Sequence, residues 1–267
     1  MTSTLDDLPT WIAHRGAGQL APENTLAAFE LGWRYGWRAF ECDVKLAADG
    51  VPFLLHDATL ERTTNGRGRA ADLTWAELKA LDAGRWHSPA YAGESLLSLE
   101  RLAQWALPRG AWLNLEIKPT PGSEEPTGEG VARAVDALWR AHGAGRPGGP
   151  SWPLLTSFQP QALQAAQRTC PHLPRGLLLD RLWPGCWEVA QQLQCAAVVL
   201  EHTLWTPALV GQCQARGWRR LTYTVNDAAR AANLRAWGVE GIISDRVDTL
   251  GPAQPYSDGV ADGCSRS

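Results

Sequence analysis

Short apolar or β-branched runs recur along the chain at 11–14, 38–44, 111–117, 153–158, 175–180, 196–201, 219–225 and 240–244. Bounded by polar, Gly and Pro positions, they have the length and composition of buried strands. Between them the apolar spacing changes to three and four, which predicts helices over Thr25–Tyr35, Gly130–His142, Pro160–Thr169, Trp187–Gln194, Pro207–Ala215 and Ala228–Trp237. Strands alternating with helices eight times over predict an α/β fold, a (β/α)8 TIM barrel, whose working site lies at the carboxyl ends of the strands. The exception is the long gap from 45 to 110. It opens with KLAADGVPFLLHD, two alternating runs around Asp-Gly that read as a hairpin, and contains one further helix, Thr74–Leu81. This gap reads as a small insertion after the second strand. The Pro/Gly-rich stretches PTPGSEEPTGEG (119–130) and GAGRPGGPSWP (143–153) read as loops, so residues 1–250 form a single domain. The remainder, 251–267, is rich in Gly, Ser, Asp and Pro and reads as a flexible tail.

Composition narrows this picture mainly by exclusion. A chain of 267 residues with 45% hydrophobic content can bury the core of one barrel. Its formal net charge of -3 offers no basic field for nucleic acid or an anionic membrane, so any phosphate it handles is small and held by local groups. The start, MTSTLDDLPT, lacks the basic and apolar regions of a signal peptide, and no apolar run approaches the roughly 18 residues of a membrane span. The chain therefore reads as cytoplasmic, without stable membrane association. Six cysteines (42, 170, 186, 195, 213 and 264) include no C-x-x-C pair, which favours reduced thiols over a disulfide framework or thiol-metal site. The 14 tryptophans are dispersed and read as packing residues rather than a ligand cage. Interface and core tryptophans read alike, so oligomeric state is left open.

The candidate chemistry gathers at the strand ends. His14 ends the first strand, Glu41 and Asp43 the second, and Glu116 and Lys118 the third. Side chains two apart on a strand share a face, and neighbouring strands lie about 4.8 Å apart. Three carboxylates on two such neighbours can surround one hard divalent cation, and oxygen-only ligands favour Mg²⁺ or Ca²⁺ over Zn²⁺. Cys42, between two of them, points towards the helices. His56 follows VPFLL on the return arm of the hairpin, which carries it to the same rim; Asp57 either orients its imidazole or starts the turn. His87, His142 and His172 fall outside this cluster, and His202 is a candidate substrate contact. A strand-end E-x-D or a lone histidine is ordinarily structural. Convergence of His14, Arg15, Glu41, Asp43, His56, Glu116 and Lys118 on one rim argues otherwise. The set suits a phosphodiester: cation, Arg15 and Lys118 neutralise the phosphoryl oxygens, while two histidines supply base and acid. Gly16 to Gly18 form a turn that lets the backbone approach the ligand.

The order HRG, PENT, AFE, E-x-D, DG, HD with L-x-RTTNG-x-G, and EIK resembles the signature of the glycerophosphoryl diester phosphodiesterases. The likeness continues through KPTPG, PTGEGVA, SF at 157–158, LPRGLLLD, YTVND and WGVEGIISD, up to about Leu250, and is greatest to the cytosolic bacterial branch. The resemblance implies a barrel with a small insertion after the second strand and a small-molecule glycerophosphodiester substrate. It also implies release of an alcohol and sn-glycerol 3-phosphate with one divalent cation, Mg²⁺ or Ca²⁺. By the same likeness Glu41, Asp43 and Glu116 are metal ligands, His14 and His56 the acid/base pair, and Arg15 and Lys118 phosphate contacts. Tyr223 stands where many members have tryptophan, a change expected to alter packing around the glycerol. The alternatives are a phospholipase-type relative on the same barrel and a catalytically silent barrel that binds a phosphodiester or a partner protein.

Overall fold

The computed structural model describes residue 5 and residues 8–252. Its strands are β1 (Trp11–Ala13), β2 (Ala39–Leu46), β3 (Pro52–Leu54), β4 (Trp112–Ile117), β5 (Leu154–Ser157), β6 (Arg175–Leu179), β7 (Ala197–Glu201), β8 (Arg219–Tyr223) and β9 (Gly241–Ser244). All except β3 pair in parallel, and β1 joins both β2 and β9, so these strands close into a barrel. The helices are α1 (Leu26–Arg34), α2 (Trp75–Leu78), α3 (Leu99–Ala106), α4 (Glu124–Ala141), α5 (Pro160–Thr169), α6 (Cys186–Gln192), α7 (Pro207–Ala215) and α8 (Ala228–Trp237). This is the predicted (β/α)8 barrel. Hydroxyl or carboxylate caps begin α1, α7 and α8, where Thr25, Thr206 and Asp227 accept from the N–H groups of Ala28, Leu209 and Arg230. Such a cap contributes about 1 kcal/mol.

Strand alternation sorts the core. Ile12, Leu154, Leu178, Val199, Leu221 and Ile243 fill the barrel interior. Phe40, Cys42, Val44, Leu113, Leu115 and Ile117 face the helix layer, so Cys42 points away from its charged neighbours as expected. The same alternation turns Glu41, Asp43, Asn114 and Glu116 inward, and the β2–β4 register sets Asp43 beside Glu116 and Glu41 beside Asn114. β3 returns antiparallel along β2, with Val44 opposite Leu54, and delivers His56 to the rim.

Two boundaries differ from the sequence reading. Within the gap of 45 to 110, α3 is a barrel helix, burying Leu99, Leu102, Ala103 and Ala106 against the main core. Its spacing of three, four and seven residues was readable, but the Gly/Trp-rich stretch before it masked the change of period. The excursion proper runs from the hairpin to Ser98 and has a small core of its own around Phe53, Leu60, Leu78 and Leu96. Its predicted helix Thr74–Leu81 shortens to α2, closed by a Thr74–Glu77 capping box. The stretch 119–130 is likewise only partly loop, because α4 starts at Glu124. Glu124 and Glu125 suit a helix N-terminus, and Pro126 is tolerated in a first turn. Gly128 serves packing rather than a turn: a Cβ there would lie 2.1 Å from the Ala162 carbonyl oxygen of α5. Residues 143–153 carry no helix or strand, as expected. Most of the expected tail, with Cys264, lies outside the described residues.

Candidate active site

At the carboxyl end of the barrel a cavity of about 200 Å³ is lined by His14, Arg15, Glu41, His56, Glu116 and Lys118, with Thr156, Phe158 and Tyr223 across from them. A larger hollow of about 360 Å³ at the opposite end is lined, among the described residues, by Arg38 and tryptophans but no carboxylate or histidine, which gives these residues no means for acid/base work. Asp43 is buried against two of the first cavity's wall residues, Glu41 and Glu116. Oxygens of Glu41, Asp43 and Glu116 fall within 4.8 Å of one another, and all three residues are buried. Burial, then repulsion from Asp43, pushes the Glu116 carboxyl up to about 7. Glu41 is also held well above the usual carboxylate range by burial and by Asp43 and Glu116. Burial acts the same way on Asp43, but Arg15, Lys118, His56 and the Asn24 amide outweigh it and keep this carboxyl ionised. Three such oxygen donors, two of them resisting ionisation, fit a divalent cation that would hold all three ionised.

The cations present are shared among these acids. Lys118 Nζ lies 2.7 Å from Glu116 Oε1 and 3.5 Å from Asp43 Oδ1. Arg15 places Nε 3.2 Å from Asp43 Oδ2 and donates from Nη1 to Glu23 Oε1 at 2.9 Å. Its backbone is left-handed, φ 51°, as is that of Asn24, φ 61°. Such conformations cost about 1–3 kcal/mol for ordinary residues and are held by surrounding contacts. Here the Arg15 N–H donates to Glu41 Oε2 at 3.3 Å, the Asn24 N–H to the Arg15 carbonyl at 3.0 Å, and the Asn24 side-chain amide to Asp43 at 2.9 Å.

Each rim histidine is paired with a carboxylate. His14 Nδ1 lies 2.5 Å from Asp245 Oδ1, which turns Nε2 towards Glu41 at 3.7 Å. Asp245 in turn accepts from the Asn226 amide at 2.9 Å. His56 Nδ1 lies 2.7 Å from Asp57 Oδ1, so Asp57 orients the imidazole. Arg62 donates to both Asp57 and Glu23, at 2.6 and 2.8 Å, and its hydrogen bonds are the main reason Asp57 is held down to about 2. Burial lowers His56 below the ordinary histidine range, which favours its neutral form. All seven residues singled out in the sequence thus meet at one site. His202 does not join them: it faces Glu201 at 3.5 Å and does not line the cavity.

The family model for the glycerophosphoryl diester phosphodiesterase family matches residues 14–249, a span that contains every one of these groups. The chain belongs to that family. A glycerophosphodiester phosphodiesterase of Caldanaerobacter subterraneus is 31% identical over 243 residues, covering 90% of this chain and 95% of that protein. An Oleispira antarctica phosphodiesterase, solved with the product sn-glycerol 3-phosphate, is 34% identical with a TM-score of 0.83, over 91% of this chain and 96% of the other. A glycerophosphodiester phosphodiesterase of Agrobacterium tumefaciens shares 26% identity at a TM-score of 0.74, over 90% and 98% of the two chains. This chain is accordingly an enzyme, a glycerophosphodiester phosphodiesterase by family.

Within this phosphodiesterase the sequence reading assigned no role to Glu23, Asn24, Arg62, Asn226 or Asp245. All five lie inside segments that carry the family resemblance: Glu23 and Asn24 in PENT, Arg62 in L-x-RTTNG-x-G, Asn226 in YTVND and Asp245 at the end of WGVEGIISD. Asp245 meets His14 across 231 residues of sequence, a contact that no local spacing announces. Among the described residues no helix is long and apolar enough to cross a membrane.

Proposed function

We propose that the protein hydrolyses small glycerophosphodiesters, glycerophosphocholine and glycerophosphoethanolamine among them, to the free alcohol and sn-glycerol 3-phosphate. The observation that carries this reading is the buried Glu41–Asp43–Glu116 cluster flanked by two carboxylate-paired histidines. The sn-glycerol 3-phosphate bound in the Oleispira neighbour supports the same substrate class. Glu41, Asp43 and Glu116 would hold one divalent cation, Mg²⁺ or Ca²⁺. When bound, such a cation supplies positive charge that polarises the phosphoryl group. Arg15 and Lys118 add cationic N–H donors for the phosphoryl oxygens as charge builds on them. Of His14 and His56, one takes a proton from the nucleophile and the other gives one to the departing alkoxide, each steered by its own carboxylate. Phe158 and Tyr223, whose rings meet edge to face at 5.7 Å, suit the glycerol half, and the Tyr223 hydroxyl is buried without a hydrogen-bond partner among the described residues.

The attacking oxygen is either water or the neighbouring glycerol hydroxyl. Trapping of a cyclic glycerophosphate selects the second route; full activity on a substrate lacking that hydroxyl selects the first. Residues 1–250 act as one catalytic unit in this reading. A reducing, cytoplasmic setting is supported by the five described cysteines, all buried and unpaired. The test is release of glycerol 3-phosphate from glycerophosphocholine and glycerophosphoethanolamine by purified protein, with and without chelator, beside His14→Ala. Release that needs the cation and is abolished in the variant is the expected result. No release from either with Mg²⁺ or Ca²⁺ restored would overturn the reading.

A further inference from the structure

His14 and Arg15 border a second cavity, of about 350 Å³, between the first strand–helix loop and the insertion. Its other walls include Gln19, Glu23, Arg62, Trp86 and His87. The sequence reading set His87 apart from the active rim; the fold brings it to the rim's outer edge. Trp86 is 40% exposed, and among the described residues only Leu182 is another large apolar side chain as open to solvent. Its indole is nevertheless held in place. Nε1 donates to the Ala83 carbonyl at 2.8 Å, and the His87 ring stands edge-on to it at 5.7 Å and 89°. His87 Nε2 lies 3.0 Å from the Gln19 carbonyl, which pins this turn onto the first strand–helix loop. The Asp82 carboxylate braces the turn from below, accepting from the N–H groups of Gly84, Arg85 and Gly93 at 2.9 Å. A rigid aromatic side chain left half open beside a reaction centre is suited to hold a ligand.

The charges in this wall select what it can hold. Glu23 accepts from both Arg15 and Arg62, Arg15 also pairs with Asp43 and Arg62 with Asp57, and Asp245, a further wall residue, is taken by His14, so each guanidinium is already shared between two carboxylates. A quaternary ammonium needs several aromatic faces and no competing guanidinium. An anionic alcohol would need a cation besides Arg15, which the phosphoryl group takes, and the other guanidinium here, Arg62, is already held by Glu23 and Asp57. One aromatic face among paired, hydrogen-bonding side chains instead matches an uncharged polyol: its C–H face lies on the indole, and its hydroxyls reach Gln19, Glu23 and Arg62. We propose that this cavity seats the alcohol half of the substrate and, among the alcohols the enzyme accepts, prefers an uncharged polyol, a second glycerol or a cyclitol ring, to choline or ethanolamine, with Trp86 as the specificity-determining side chain. The inference rests on the hydrolase reading above and deepens it.

The experiment compares kcat/KM for glycerophosphoinositol and for glycerophosphomethanol, followed as glycerol 3-phosphate release, in the native enzyme, Trp86→Ala, Trp86→Phe and Gln159→Ala. Gln159 lines a separate hollow on the opposite flank of the active site, shared with His56 and Lys118. Trp86→Ala is expected to lower the inositol-to-methyl ratio about tenfold, mainly through KM, with the methyl substrate unaffected and Trp86→Phe retaining most of the ratio. Equal losses on both substrates, or none on either, would overturn the inference. So would a ratio that moves with Gln159→Ala and not with Trp86→Ala, since the alcohol would then occupy the other flank. Should the native enzyme release glycerol 3-phosphate from neither substrate nor from glycerophosphocholine, the hydrolase reading itself fails, which is a separate result.

Discussion

Glu116 faces Asp43 across one strand pair in an environment that excludes water, and this makes its ionisation depend on a cation. Its folded pKa of about 7 lies above the ordinary value of roughly 4.3. A raised folded pKa gives stability that is complete below the unfolded value and is lost as pH rises through the folded one. Without a cation, this contribution should therefore fall away between about pH 4 and 7. Added Mg²⁺ or Ca²⁺ should raise Tm more at pH 8 than at pH 5, and Glu116→Gln should reduce the difference, with Glu41 supplying the remainder; equal shifts at both pH values in the native protein would disprove the assignment. The histidine pairs make a second prediction. Among the described residues Asp245 has only the neutral Asn226 as its other side-chain hydrogen-bond partner, whereas Asp57 is shared with Arg62. Asp245→Asn should thus lower kcat roughly 10²–10⁴-fold with KM little changed, by analogy with the triad aspartate of serine proteases. Asp57→Asn should cost less, and steady-state kinetics showing the reverse order would reject this account.

Helices α4 and α5 show how residues that read as loop formers serve packing. Alanine at position 128 gains roughly 1 kcal/mol of helix propensity. Its Cβ, however, would lie 2.1 Å from the Ala162 carbonyl, and relieving that contact means separating two helix backbones. Overpacking typically costs about 1–3 kcal/mol, so it should win. Gly128→Ala is expected to lower the urea midpoint without changing activity at 25 °C, and an unchanged or higher midpoint would show that the two helices yield easily. The same position explains why 119–130 was read as loop: glycine and proline are scored by backbone freedom, while the reason for glycine here is a neighbour reached only after folding. The missed helix α3 is a different case. Its pattern was local and complete, and only its place among Gly/Trp-rich residues hid it.

Across the molecule the five described thiols are buried. Burial pushes Cys195 up to about 12 and Cys213 to about 11, and Cys42 rises for the same reason. In a Cys264→Ser background, a disulfide reagent at pH 8 should label no thiol quickly in the native protein and all five in guanidinium. A fast native thiol would contradict the packing.

Periodicity alone placed all eight barrel strands, because side-chain alternation and the apolar runs that bury both faces of a parallel sheet are written over four to eight consecutive residues. The same period of two set Glu41 with Asp43 and Glu116 with Lys118, so most of the charged rim could be read locally. What joins the rim to its supports is closure of the barrel. The His14 N–H donates to the Ser244 carbonyl where β1 meets β9, and that seam brings Asp245 to His14. Folding of the insertion back over the first loop likewise brings Arg62 to Glu23 and His87 to Gln19. These contacts depend on where distant segments come to lie, and local spacing carries no record of them.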